Sequence, residues 1–425
     1  MRHYHCAVIG TGPAGQKAAI QAAKLGKRVC IIEKNNVLGG AQVNTGTIPS
    51  KALREAVLHL TGAGKRGLFG DSYRVKRNIT ISDLIGVSTQ VIRREWEVIR
   101  DQFDRNGVDL IWGAAHFEGP NLLQVQRPED SEMITADKFL VAVGTRPAKP
   151  KNVPFNKRTV FCSDDLLHME ALPKTMIVVG GGVIGVEYAC IMATLGVRVT
   201  LIEGRDQVLG FLDAEINEAF QYFMRQAGIT LRLGEKVTAI SELHDRAADA
   251  APGASGAPGA PGETNGDGAL VQATLESGKK LRAAALLYAV GRQGVCGPLH
   301  LDNVGITFDD RERLKVNENY QVLRGPKEGE PGDKPVAVGH IYAAGDVIGF
   351  PALASTSMEQ GRRAICHAFG LPTCGFNTIF PYGIYAIPEC SMVGKTEQQL
   401  TEEGVPYEAG VASYREIARG QLLGD

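Results

Sequence analysis

One pattern that occurs twice constrains this chain more than anything else in it. His5–Ile9 is a short apolar run, Gly10-Thr11-Gly12-Pro13-Ala14-Gly15 follows, an alanine-rich helical stretch continues to Leu25, Gly26 stops it, and a second apolar run, Arg28–Ile32, ends at Glu33. Far downstream the same order returns: Met176–Val179, Gly180-Gly181-Gly182-Val183-Ile184-Gly185, a helical stretch to Leu195, Gly196 as a stop, and Arg198–Ile202 ending at Glu203. Both copies place the acid 23 residues after the first glycine, near the ~20 that a dinucleotide-binding turn uses. A lone glycine fingerprint is weak evidence, but a strand before it, a helix after it, an acid in place and an equal-spaced repeat make coincidence improbable.

Each residue type has a physical task in such a unit. The first glycine (Gly10, Gly180) permits the tight turn, and the second (Gly12, Gly182) lets the backbone approach a pyrophosphate. The third (Gly15, Gly185) allows close helix–strand packing, and the acid accepts hydrogen bonds from ribose hydroxyls. The plainer reading, a glycine turn that serves only the fold, does not account for the paired acids. Two such sites in one chain imply one resident and one exchanging dinucleotide. The expected class is α/β, with two Rossmann-like parallel-sheet domains.

Size and charge agree with an enzyme of that kind. A chain of 425 residues is long enough for two or three domains with substantial cores. A net charge of -1 with mixed signs leaves no footprint for nucleic acid or an acidic membrane. The start, Met1–Cys6, is too short and polar for a signal peptide, and no apolar run approaches the ~18 residues of a membrane span, so a cytoplasmic protein is expected. The eight cysteines, Cys6, Cys30, Cys162, Cys190, Cys296, Cys366, Cys374 and Cys390, show no CxxC or CxxxxC spacing. They read as buried, reduced and inert thiols, and no metal is expected.

Between the two glycine units Ser82 is placed as a helix cap. Leu84, Val91, Ile92, Trp96, Ile99 and Phe103 then recur near helical spacing up to Asn106-Gly107, with Trp96 as core. An apolar strand from Phe139 runs into a turn at Gly144-Thr145-Arg146, and Pro147, Pro150 and Pro154 mark a crossing between domains. Residues 214–226 read as a helix and 229–233 as a strand. The segments 246–268 and 325–334 are polar, rich in Ala, Pro and Gly, and read as solvated loops without chemistry. Two more strands end in glycine turns, at Gly291-Arg292 and Gly345-Asp346. Asp346 is read either as an acceptor for a polyol chain or as an ordinary turn cap.

The stretch Gly39-Gly40-Ala41-Gln42-Val43-Asn44-Thr45-Gly46-Thr47-Ile48-Pro49-Ser50-Lys51 resembles the signature of the pyridine nucleotide-disulfide oxidoreductase family. The other motifs stand in that family's order, and the likeness covers nearly the whole chain except the two loops. It is nearest to the transhydrogenase branch along 46–57, 345–355 and 383–397. The resemblance implies a non-covalent FAD held by Gly10, Gly12, Pro13, Ala14 and Gly15, with Glu33 and Lys34 toward the adenosine ribose. It implies too that Gly40, Thr47, Lys51, Gly144, Thr145 and Arg146 complete the flavin site, that Gly345 and Asp346 hold the ribityl chain, and that the helix starting at Ala354 faces the flavin. By the same likeness Lys51 lies near flavin N5 and pairs with Glu187. NAD(H) or NADP(H) is implied on Gly180, Gly182, Val183, Ile184 and Gly185, with Gly291 and Arg292 nearby. Glu203 favours a free 2′-hydroxyl and departs from the branch, whose members carry no acid there, while Arg205 offers a partner to a 2′-phosphate.

Gln42 and Thr47 stand where the family's redox cysteines stand, so electrons reaching a flavin have no thiol relay. The expected domains are 1–148 with 285–372 for FAD, 149–284 for the nicotinamide nucleotide, and 373–425 as an incomplete interface domain ending at Asp425. The family implies a homodimer. The expected activity is hydride transfer from NADPH to NAD⁺ through one nucleotide pocket. Two alternatives stay open at the level of sequence: an NAD(P)H:quinone or dye reductase of the same architecture, and a flavin-binding protein without activity.

Overall fold

The computed structural model describes residues 1–63, 75–76, 78–244, 269–325, 334–373, 375 and 379–423. The chain divides into two compact units, the first formed by Met1–Pro49, Gln90–Arg146 and Arg292–Phe380, the second by Ser50–Thr89, Pro147–Gly291 and Pro381–Asp425. The class is α/β, and a parallel sheet organises each unit.

In the first unit the strands run in the order Gln321–Arg324, Val336–Ala343, Ser131–Val141, Arg2–Ile9, Val29–Glu33 and Asp109–Trp112. The last five are parallel, and Gln321–Arg324 closes one edge antiparallel. A hairpin, Ala114–Gly119 with Leu122–Gln126, is attached antiparallel to Ser131–Val141. Arg2–Ile9 ends with Cys6, Ala7, Val8 and Ile9 all buried, as expected of a central strand covered on both faces. Its chain first leaves toward Val29–Glu33 on one side, and Ser131–Val141 later fills the other. The end of this strand is therefore a topological switch point, where open α/β sheets form a crevice.

The second unit repeats the plan with five parallel strands in the order Thr230–Leu233, Arg198–Glu203, Thr175–Val179, Ala285–Tyr288 and Val160–Cys162. Thr175–Val179 is again central, with Arg198–Glu203 and Ala285–Tyr288 on opposite sides, so its end is a second switch point. A three-stranded antiparallel sheet, Val237–His244, Ala269–Leu275 and Lys280–Ala283, packs Val271, Ala273 and Leu275 against the opposite face from helix Val183–Thr194.

The helices follow the sequence signals, with one correction. Helix Ile81–Arg105 is not capped by Ser82, which lies inside its first turn. Thr80 has that position: its amide and hydroxyl both donate to Asp83 Oδ2 at 2.8 Å and Asp83 N donates back to Thr80 Oγ1 at 3.4 Å, a reciprocal cap three residues wide. Ser82 is the hydroxyl nearest the apolar stripe, but Asp83 selects Thr80. Trp96 is half-buried, and its indole N–H donates to Asn44 Oδ1 at 2.9 Å, so it joins the core and a polar clasp at once. Residues 214–226 form the expected helix, with Asp213 accepting from Glu215 N as its cap. Of the two polar loops, 246–268 and 326–333 lie outside the described residues, as does Cys374. The seven described cysteines are free, six of them buried, and burial pushes Cys6 up to about 12 and Cys190 up to about 11. Among the described residues no helix is long and apolar enough to cross a membrane.

Candidate functional site

Gly10 follows the central strand of the first unit at φ +105°, and a side chain there would meet Ala142 O at 2.5 Å. Gly15 allows no substituent either, because a Cβ would fall 1.9 Å from Gly10 O. Gly12, between them, has nothing within 4 Å of the same position and caps helix Pro13–Lys24 with no side-chain hydrogen bond. The helix therefore presents free N–H groups to an open, side-chain-free cradle, which fits a dinucleotide pyrophosphate. Ala14 is buried under helix Ala354–Ala368, where Gly361 approaches the Ala14 carbonyl as only a glycine can.

Glu33 is buried at the strand end. Its Oε2 accepts from Thr11 Oγ1 at 2.6 Å and Thr11 N at 3.2 Å, and its Oε1 accepts from Asn35 N at 3.0 Å. A carboxylate offers about four acceptor sites, so one on Oε1 remains for a ribose hydroxyl. Thr11 Oγ1 also accepts from Gly39 N at 3.2 Å, tying the turn to the Gly39–Lys51 stretch, and Gly40 packs against Gly12. Lys34 is exposed beside Glu33.

Three separate turn signals of the sequence meet in this unit. Arg292 Nε donates to Thr145 Oγ1 at 2.8 Å and its Nη2 to Thr145 O at 2.8 Å, while Thr145 Oγ1 donates to Asp346 Oδ2 at 3.3 Å. Asp346 is half-buried at the start of a short turn, with one carboxylate oxygen accepting from Thr145. Gly345 N donates to Gln360 Oε1 at 2.9 Å, and helix Ala354–Ala368 starts after Leu353 without a side-chain cap. Arg146, exposed, pairs with Glu312 at 3.6 Å.

The second turn reproduces the backbone of the first. Gly180 has φ +109°, a Cβ on Gly185 would fall 1.9 Å from Gly180 O, and Gly182 faces open space at an uncapped helix start followed by Val183 and Ile184. Its acid is held differently. Glu203 Oε2 accepts from Gly181 N at 2.6 Å and Arg205 Nη2 at 3.2 Å, and Oε1 accepts from Arg205 N and Nε, both at 3.0 Å. All four acceptor sites are engaged. Burial pushes the carboxyl up, but Arg205 and the two amides outweigh it and hold Glu203 below the usual range.

In the stretch Gly39–Lys51, Gln42 lies on the short helix Gly40–Asn44 and Thr47 opens helix Thr47–Thr61. Lys51 follows one turn later. Its ammonium sits 3.8 Å from the centroid of the Tyr385 ring, and Glu187, on helix Val183–Thr194, accepts from Tyr385 N at 2.9 Å. Desolvation lowers Lys51, opposed by the Glu187 charge; desolvation raises Glu187, opposed by Tyr385 N–H, Lys51 and Arg54. The second unit thus holds the two groups under each other's field, with Tyr385 touching both. Sequence reasoning does not single out Tyr385 or Arg54, although both lie in stretches that carry the family resemblance. Arg54 is buried, donates to Ala386 O at 3.0 Å and pairs with Glu389 at 3.1 Å, which fixes the segment carrying Tyr385. Thr11 is equally silent in the sequence; its only signal is its place inside the first glycine turn.

Comparisons with known proteins agree with the family that the sequence motifs resemble. The pattern of the pyridine nucleotide-disulphide oxidoreductase family matches residues 4–361. A soluble pyridine nucleotide transhydrogenase of Mycobacterium tuberculosis is 47% identical over 427 residues, covering 100% of this chain and 83% of the relative. One from Marinomonas is 38% identical over 425 residues, with the same coverage. Among solved structures, the HOCl-induced flavoprotein disulfide reductase RclA from Escherichia coli superimposes with TM-score 0.79 at 26% identity, over 99% of this chain and 84% of that one. LpdA from Mycobacterium tuberculosis, at 23% identity and TM-score 0.82 over 99% and 84%, shares the fold.

Proposed function

The chain belongs to the pyridine nucleotide-disulphide oxidoreductase family, and we propose that it is an FAD-dependent enzyme that moves hydride between NADPH and NAD⁺ through one nicotinamide pocket. The observation that carries this reading is the pair Gln42 and Thr47: an amide and a hydroxyl take the positions of a dithiol, and neither accepts electrons. The relatives named as soluble transhydrogenases support the same reading.

The first unit has what a resident FAD needs, with the Gly10–Gly15 cradle for the pyrophosphate, the spare Glu33 acceptor for the ribose, and the Thr145, Arg292 and Asp346 group for the polyol. Bound there, the flavin supplies a two-electron centre that takes and returns hydride. The second unit binds the exchanging nucleotide on the Gly180–Gly185 turn. Within the second unit Lys51 offers a cation that favours arriving negative charge, and Glu187 balances it so that no ammonium is left unpaired in a desolvated place. Tyr385 is a positioning residue, shielding the Lys51 ammonium on its ring face. In the first unit the helix beginning at Ala354 starts without a side-chain cap, and its positive end favours a reduced, negatively charged flavin. The overall exchange, NADPH plus NAD⁺ giving NADP⁺ plus NADH, moves one hydride and no net proton, so no acid or base is required. With this reading go a cytoplasmic setting and a homodimer, the latter open to sedimentation velocity.

The test is anaerobic mixing of the yellow holoenzyme with NADPH and a thio-analogue of NAD⁺. Stoichiometric appearance of the reduced analogue is expected. Absence of transfer beside rapid quinone reduction would overturn the transhydrogenase reading in favour of a quinone reductase.

A further inference from the structure

We propose that His116, Glu118 and His300 form a binding site for a divalent transition metal of zinc-like preference, separate from both dinucleotide turns. The argument begins with strand alternation. On Ala114–Gly119 the side chains of Ala115 and Phe117 are buried, so His116 and Glu118 project together from the opposite face. His116 Nε2 lies 3.3 Å from Glu118 Oε1. Two ligands bonded at about 2.0–2.1 Å to a tetrahedral ion are separated by roughly that distance.

His300 arrives from another part of the same unit and is held there by the chain on either side. Leu299 and Leu301 are buried while His300 is exposed between them, and Asn303 Nδ2 donates to Phe117 O at 2.7 Å, fastening the loop to the strand that carries the other two groups. His300 also has φ +50°, a left-handed conformation that costs a non-glycine residue free energy and that the fold maintains at this point. The His116 and His300 rings stand 4.7 Å apart, tilted by 47°. The three ligand atoms all fall within 4.8 Å of one another, the one such group of three His, Cys, Asp or Glu found among the described residues.

The donor set selects the ion. Two imidazoles and one carboxylate suit Zn²⁺ and its late first-row neighbours, whereas Ca²⁺ and Mg²⁺ take oxygen ligands. Gln124, paired with His116 across the hairpin and with Oε1 3.0 Å from Nε2, accepts from a protonated Nε2, a bond that a metal on that nitrogen replaces. Three protein ligands leave a fourth position for water.

Chelator-treated holoenzyme titrated calorimetrically with Zn²⁺ tests this. One equivalent per chain is expected to bind, with affinity at least tenfold weaker in H300A and in E118Q and no stoichiometric event in the H116A/H300A double variant. Far-UV circular dichroism, flavin absorbance and metal-free Tm are read on every variant. E118Q, which keeps the shape of the side chain, carries the test if an alanine variant unfolds. Replacing His5, an exposed histidine elsewhere in the unit, is expected to change nothing. Absence of a one-equivalent event in the parent protein, equal affinity in folded H300A and E118Q, or an equal loss in H5A would overturn the proposal and leave an ion pair beside a ring contact.

Discussion

The two glycine turns have nearly the same backbone and hold their acids in opposite ways. Gly10 and Gly180 differ by 4° in φ, and a Cβ added to Gly15 or Gly185 would fall at the same 1.9 Å from the first glycine's carbonyl oxygen. Yet Glu33 takes its hydrogen bonds from Thr11 and Asn35 and keeps an acceptor site, whereas Glu203 is fully engaged by Gly181 and the Arg205 guanidinium. The first arrangement suits a cofactor that stays, since a buried, preorganised acceptor needs no rearrangement. The second suits a ligand that exchanges, since a nucleotide hydroxyl must displace Arg205 and a 2′-phosphate draws it away. The two turns share a backbone; the residues one and two positions beyond the landmark glycine and acid decide how the acid is held.

The largest effects should come from removing the shared feature on each side. Gly15→Ala and Gly185→Ala each force a Cβ into a backbone carbonyl, costing about 3 kcal/mol locally. The first variant should purify without flavin, and the second should stay yellow and fail to oxidise NADPH. Flavin loss from Gly185→Ala alone would break the assignment of the two turns. Next in size, Lys51→Met should slow NADPH oxidation on the order of a hundredfold, and Glu187→Gln should move its pH profile. Loss of the Glu187 charge lowers Lys51 further, so the activity that needs the ammonium should fall away at a lower pH than in the parent; an unmoved limb would dissociate the two groups.

A smaller effect separates the acids themselves. Thr11→Val removes the 2.6 Å bond to a buried carboxylate and should cost about 2 kcal/mol, read as a lower denaturation midpoint with unchanged slope. The second turn has no counterpart, because a Cβ on Gly181 would stand 3.0 Å from Glu203 Oε2 and Val208 Cγ1. Smallest is specificity. Glu203→Ala releases Arg205 and should raise kcat/KM for NADPH relative to NADH about tenfold, roughly 1.4 kcal/mol. Arg205→Ala should move the ratio the other way, and an unchanged ratio in both would remove the clamp from the account of preference.

Both turns are legible in the sequence because the constraint there is local: a glycine that must accept φ +105°, or whose Cβ would fall 1.9 Å from a carbonyl oxygen, has no substitute, so composition and spacing report it directly. The class follows from repeating that unit. Thr145, Arg292 and Asp346 are each visible as turn residues, but their hydrogen-bonded group is not, since residues 145, 292 and 346 meet only through sheet pairing. Tyr385 and Arg54 are hidden because their contacts join stretches more than 300 residues apart in the chain. The Arg205 clamp reads in sequence as an offer to a phosphate rather than as a bond to Glu203, because a two-residue spacing does not say which way a long side chain folds. The Thr80 cap shows the local limit, where two hydroxyls compete and only the position of Asp83 decides.

The packing of Ala14 under Gly361 has a consequence for the newborn chain. The strand that ends at Gly10 pairs with Ser131–Val141, which pairs in turn with Val336–Ala343, so the first unit gathers its sheet from three separated stretches. The core sheet of the second unit is complete once Ala285–Tyr288 has been made. On a ribosome the five-stranded sheet of the second unit can therefore close while the Gly10–Gly15 turn, begun first, still waits for helix Ala354–Ala368 to leave the exit tunnel. The earliest residues of the chain are among the last to reach their final neighbours.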